Sequence, residues 1–113
     1  MVIGSGVTDT GTNVFSDCYY LTKVTISEGV TVIKNYSFAY CDSLTDISLP
    51  STIEEIGASA FARTYALKVI NFNGSKSDWE KIEKHDRWSA YIEVCTIRCT
   101  DGDIVVEDYR LDA

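Results

Sequence analysis

A strict internal repeat constrains this chain more than any other feature. The segment FSDCYYLTKVTISEGVTVIKNYS (15–37) superimposes without a gap on FAYCDSLTDISLPSTIEEIGASA (38–60), and FARTYALKVINF carries the pattern on to Phe72. The period is 23 residues. Apolar residues recur in columns: Phe15, Phe38, Phe61; Leu21, Leu44, Leu67; Val24, Ile47, Ile70; Ile26, Leu49, Phe72. Val30 returns as Ile53, and Ile33 returns as Ile56, a column to which the spacing also assigns Trp79. The polar positions between these columns vary freely. A unit this short cannot bury its own apolar face, so successive turns must stack their faces into one continuous core.

Reading backward, Ile3 falls in the Ile26 column, Val7 in the Val30 column and Val14 in the Ser37 column. The chain therefore reads as starting in mid-repeat. The expected division is a partial repeat at 1–14, repeats at 15–37, 38–60 and 61–76, and a closing segment at 77–113, all one domain. A cut solenoid exposes an apolar end, which predicts self-association through the N-terminal face.

Within each repeat, LTKVTI, LTDISL and LKVINF alternate with period 2, the signature of a half-buried strand. Val24 and Ile26 point in; Lys23, Thr25 and Ser27 point out. Strands recurring at one place per turn predict a parallel sheet. GVTVI and STIEEIG predict a second short extended piece, and NYSFAY and ASAFAR a helical turn carrying Phe38 and Phe61. Pro50, the one proline, is placed at a strand end, where a missing donor is tolerated. The expected fold is thus a repeat solenoid, leucine-rich-repeat-like, with short parallel strands and helical turns.

After Asn73 the pattern changes. SKSDWEKIEKH predicts a short helix in which Ser77 and Glu80 form a capping box and Trp79 and Ile82 share a face. Asp101-Gly102 between two alternating runs predicts a hairpin, with strands near 92–100 and 103–110. Ile97 and Cys99 would then share a face with Ile104 and Val106. Helix and hairpin would close the last repeat, with Trp88 and Tyr91 over the open core end.

Composition narrows the partners. Seventeen acidic residues against ten basic give a net charge of −7, which repels phosphate backbones and anionic lipid and argues against nucleic acid. No apolar run reaches the roughly 18 residues of a membrane span, so no membrane insertion is expected. MVIGSGVTDTG lacks the basic start and apolar stretch of a signal peptide. The acidic residues after Thr100 read as a solvated end.

No constellation points to an enzyme or a cofactor. Cys18 and Cys41 share a column with Thr64, which favours packing over a disulfide or metal; a Cys18–Cys41 bridge stays open on Cα spacing alone. Cys95 and Cys99, four apart on a predicted strand, lie roughly 13 Å apart and cannot bridge each other. With His85 the lone histidine and a C-x-x-x-C spacing, no metal site is expected. GSGVTDTG lacks the lysine-serine/threonine ending of a phosphate loop. Glu54 and Glu55 point to opposite faces of a strand and do not make an acid/base pair.

The surface best placed to bind something is the outward side of the repeat strands. Its rows are Lys23, Asp46 and Lys68 or Val69; Thr25, Ser48 and Asn71; and Ser27, Pro50 and Asn73. A second candidate is the aromatic set Tyr19, Tyr20, Tyr40 and Tyr65 beside the strand entries, suited to stacking on sugar or anchoring a protein, or else to shielding the core edge.

The unit F-x-x-C-x-x-L-x-x-I-x-I/L-P-x-x-I-x-x-I-G-x-x-A-F resembles the BspA-like leucine-rich repeats, and FNGSKSDWEKI…W…TIRCTDGDI resembles the closing segment of secreted proteins of that family in gut and oral anaerobes. The likeness covers essentially the whole chain. Thr64 departs at the cysteine, Ser27 and Asn73 at the proline, Lys34 at the glycine. The resemblance implies a curved, non-catalytic solenoid on a bacterial secreted or cell-surface protein. It also implies adhesion to an extracellular or host protein. A carbohydrate-binding module using the tyrosines, or a structural spacer, are the alternatives.

Overall fold

In a computed structural model, the protein is described over residues 1–107 apart from Ser5, Val7, Asn13, Tyr91 and Glu93. The elements in chain order are β1 (Val2–Ile3), β2 (Lys23–Ile26), β3 (Val32–Ile33), β4 (Asp46–Leu49), β5 (Glu55–Ile56), β6 (Val69–Phe72), α1 (Lys76–Lys81), β7 (Glu83–Lys84), β8 (Val94–Cys99) and β9 (Gly102–Glu107). They form a β-solenoid. One sheet has the order β1-β2-β4-β6-β8-β9, and a second has the order β3-β5-β7. All pairings are parallel except the β8–β9 hairpin.

The register follows the repeat. Ile3 pairs with Ile26, Val24 with Ile47, Ile47 with Ile70 and Ile70 with Ile97. Alternation does the rest: the inward residue of each pair is buried and the outward one is not. Leu44, Ile47, Leu67, Ile70 and Ile97 are fully buried. Phe15, Phe38 and Phe61 stack almost parallel, with centroids 5.2 and 5.6 Å apart. Trp88 then meets Phe61 edge-on at 6.4 Å, and Trp79 packs against both Trp88 and Phe72. Trp88 thus covers the end of the aromatic stack as expected; Tyr91 lies outside the described residues, as do Val7 and residues 108–113.

The expected helical turns at NYSFAY and ASAFAR are not helices. Each is a run of tight turns bounded by left-handed residues, Tyr36 and Tyr40 in one repeat and Ser59 and Arg63 in the next. A residue with φ near +60° breaks the helical ladder. The N–H groups point to the neighbouring turn instead: Phe38 donates to Ala60 O, Tyr40 to Ala62 O and Arg63 to Ala90 O. The buried alanines Ala39, Ala62 and Ala90 line up here, small enough to let adjacent turns close up.

Three further expectations need correction. The helix is capped by Ser75, whose side chain accepts from Asp78 N–H while the Asp78 carboxylate accepts from Ser75 N–H; Ser77 and Glu80 are not the capping pair. The helix also stops at Lys81, because Glu83–Lys84 joins the second sheet beside β5. Glu55 pairs with Glu83, 28 residues on, where Val32 and Glu55 are 23 apart. Lys84, not Trp79, therefore occupies the Ile56 column. Its amine lies 4.8 Å from the centre of the Trp79 ring and donates to Trp79 O and Ile82 O.

In the hairpin, Cys99 pairs with Gly102, so the tip is Thr100-Asp101 rather than Asp101-Gly102. Only Gly102 of these has positive φ, at 138°. The shift has a cause: Asp101 accepts from Lys76 N–H at the start of α1, and Thr100 N–H donates to Gly74 O. Ile97, Cys99, Ile104 and Val106 do share the inward side.

Candidate functional site

The outward face of the larger sheet carries two in-register rows. One runs Lys23, Asp46, Val69, Thr96, Val105; the other runs Val2, Thr25, Ser48, Asn71, Arg98, Asp103. The structure therefore brings Lys23, Asp46 and Val69 together, and Thr25, Ser48 and Asn71 beside them. Val69, not Lys68, takes the first row. Lys23 and Thr25 are exposed, and Asp46, Ser48, Val69 and Asn71 are half-buried by their strand neighbours. The third expected row fails at Pro50, which is buried. Ser27 N–H donates to Ile3 O and Asn73 N–H to Leu49 O, and Pro50, in the same column, has no N–H to give.

The repeat spacing carries these rows only as far as Val69 and Asn71. They continue through Thr96, Arg98, Asp103 and Val105, because β8 adds in parallel and β9 folds back on it. The signal was available: TIR and DIV alternate in phase with VIN. Charges of both signs alternate along the face, with Lys23 beside Asp46 and Arg98 beside Asp103. Short hydroxyl and amide side chains lie between them. Such a face offers donors and acceptors on rigid strands at little cost in side-chain entropy. It has the chemistry to meet a polar, extended partner surface.

The tyrosines form a separate feature. Tyr19, Tyr20 and Tyr65 are exposed by 56%, 86% and 49%, enough to leave a ring face free. Tyr19 donates to the Asp17 carboxylate, which pushes its own phenol above the usual value. Tyr40 is held differently, under the Arg63 guanidinium 5.8 Å from its ring centre.

The four cysteines are free thiols. Cys41 donates to Phe15 O at 3.0 Å and Thr64 donates to Phe38 O at 2.8 Å. The column therefore places a side-chain donor over the carbonyl of the phenylalanine one repeat back, a role that packing alone does not reveal. Burial pushes the Cys41 thiol up to about 11 and the Cys95 thiol up to about 12, so neither is a nucleophile at neutral pH. Glu55 does not pair with Glu54; its carboxylate meets His85. A shallow cleft of about 290 Å³, lined by Ser51, Ile53, Glu54, Asp78, Lys81 and Ile82, lies outside the sheet face. No helix among the described residues is long and apolar enough to cross a membrane.

A family model described as a BspA-type leucine-rich repeat region of six copies matches residues 1–84. The chain belongs to this BspA-type leucine-rich repeat family. A crystal structure of a leucine-rich cell surface protein from Faecalibacterium prausnitzii A2-165 is similar, with 37% identity over 72% of this chain and a TM-score of 0.70. The chain spans about a fifth, 21%, of that protein's length. No curated protein matches the chain. The BspA-type match accounts for the stacked columns and the parallel register; α1, β8 and β9 finish the stack.

Proposed function

We propose that the chain is a non-catalytic, protein-binding repeat module of a bacterial cell-surface or secreted protein, acting in adhesion. One observation carries this reading: the two outward rows, Lys23 to Val105 and Val2 to Asp103, run across the sheet in register on a rigid stack. Extended repeat surfaces of this kind are used to hold protein partners. The similar cell surface protein from Faecalibacterium supports the location. Immobilised extracellular-matrix proteins are the direct probe. Binding to one of them that is lost in a Lys23→Glu, Asn71→Asp, Arg98→Glu triple variant is the expected result. Binding untouched by that triple variant would overturn the assignment of the face.

A second reading rests on the exposure of Tyr19, Tyr20 and Tyr65. Solvent-facing tyrosines stack on sugar rings. A glycan array separates the two: glycan binding that disappears in a Tyr20→Ala, Tyr65→Ala variant favours the carbohydrate module. Silence on both arrays favours a spacer. Self-association through the N-terminal turn, where Met1 and Val2 are exposed beside β2, is tested by light scattering at high concentration.

A further inference from the structure

The second sheet brings together side chains that the sequence keeps apart. Glu55 on β5 pairs with Glu83 on β7, and His85 N–H donates to Ile56 O, extending the parallel ladder by one residue. Strand alternation puts Glu83 and His85 on one side, opposite Lys84. Glu55 shares that side, opposite the fully buried Ile56. The His85 Nε2 is 2.5 Å from a Glu55 carboxylate oxygen and 3.7 Å from one of Glu83. One donor atom from each residue lies within 4.8 Å of the other two, and this is the one such group of histidine, cysteine and carboxylate side chains among the described residues.

Two carboxylates on adjacent strands, Glu55 and Glu83, face each other across one rung, and like charges so placed repel. The next rung outward from Glu55 is Val32, so β3 supplies no basic side chain at that rung. Gly57 follows Ile56 at the rung beside His85, with no side chain to crowd the ring. A cation between the three groups would relieve the repulsion. Tetrahedral ligands at 2.0–2.1 Å from a metal are about 3.3 Å from one another. The two separations from Nε2 straddle that value and the carboxylate oxygens lie within 4.8 Å of each other, so shifts of about 1 Å in the two exposed carboxylates bring the set to it. Glu55 and His85 side chains are 38% exposed and Glu83 70%, which leaves room for that shift and a path from solvent.

We propose that Glu55, Glu83 and His85 form a surface site for a divalent transition cation of the zinc class. Nε2 and two carboxylate oxygens are its protein ligands, and water completes the shell. One nitrogen and two oxygens suit such ions better than calcium or magnesium, which prefer oxygen alone. In the sequence His85 has only cysteines at metal-like spacing to join it, and they supply no site. The 28-residue step from Glu55 to Glu83 supplies carboxylates instead.

The test is calorimetric titration of zinc chloride into the reduced full chain near neutral pH, read together with nitrogen NMR of the imidazole. His85 is the only histidine, so its ring signals report this site alone. One equivalent of zinc should bind and shift the Nε2 signal. Glu55→Gln and His85→Gln should each weaken binding by more than the roughly 10–100-fold that loss of a supporting hydrogen bond costs a metal site. Glu83→Gln should weaken it too, and all three variants should keep the wild-type circular dichroism spectrum. Zinc should raise the melting temperature of the wild type and not of His85→Gln. Three results overturn the proposal: no zinc binding, zinc binding unchanged in His85→Gln together with a wild-type Nε2 signal that zinc does not move, or calcium chloride binding as tightly as zinc and indifferent to that variant. Zinc held by the thiols falls under the second.

Discussion

Cys41 and Thr64 make the same hydrogen bond one repeat apart, the thiol to Phe15 O and the hydroxyl to Phe38 O. Both side chains are fully buried. Cys41→Thr should therefore hold stability within about 0.5 kcal/mol, since a hydroxyl already serves this column. Cys41→Ala removes the donor and leaves a small void, and should cost about 1–2 kcal/mol. Urea unfolding of the two variants checks both numbers, and equal losses in the two would deny the hydrogen bond a role.

Alkaline pH should weaken the fold through the same residue. The Cys41 and Cys95 thiols are raised from 9.0 to about 11 and about 12 by burial. Between those values the folded chain keeps protons that the unfolded chain has lost, so stability falls as pH rises. The full contribution is present below pH 9.0 and fades toward pH 11 for Cys41 and pH 12 for Cys95. Each thiol adds a slope of at most about 1.4 kcal/mol per pH unit. Urea midpoints across this range should drop less steeply for Cys41→Thr than for the wild type.

The helix cap offers a sharp contrast between neighbours. Ser75→Ala breaks the reciprocal pair with Asp78 and should cost about 1 kcal/mol. Ser77→Ala and Glu80→Gln, which the sequence alone favours as the capping box, should each stay within about 0.5 kcal/mol. Thermal melts of the three variants decide the matter.

Gly57→Ala should be the most damaging small substitution. An added Cβ would lie 2.6 Å from Asn35 N and 2.8 Å from Lys34 C, both backbone atoms. The Asn35 side chain that holds Ala58 N–H is also in the way, at 2.5 Å. Backbone cannot yield as a side chain does, so the loss should reach about 2–3 kcal/mol. Gly4→Ala, where nothing lies within 4 Å of the added carbon, is the control and should be close to neutral.

What could be read from the sequence follows from which features repeat. Val24, Ile47 and Ile70 recur in type and spacing because they meet the same packing demand in each turn, so the columns and the parallel sheet were legible. The turns were not. Asp17, Tyr40 and Arg63 all adopt φ near +60°, and none carries the glycine signal for that region. Their conformation is imposed by hydrogen bonds to the next turn. The last turn was hidden for another reason: α1 inserts before β7, so Glu83 reaches Glu55 after 28 residues and no column at 23 could find it. The outward rows were legible as far as Asn71. Arg98 and Asp103 join them only through the pairing of β8 and β9.

The alanines at 39, 62 and 90, with Ser16 in the same column one repeat earlier, let successive layers close to a common thickness. Side chains on the sheet face are thereby held like marks on a ruler, about 4.8 Å from one strand to the next. Exchanging Asp46 for another polar residue rewrites one mark and leaves the graduation unchanged. A surface built this way can be altered one rung at a time, with distant rungs contributing independently, while the stack beneath keeps its form.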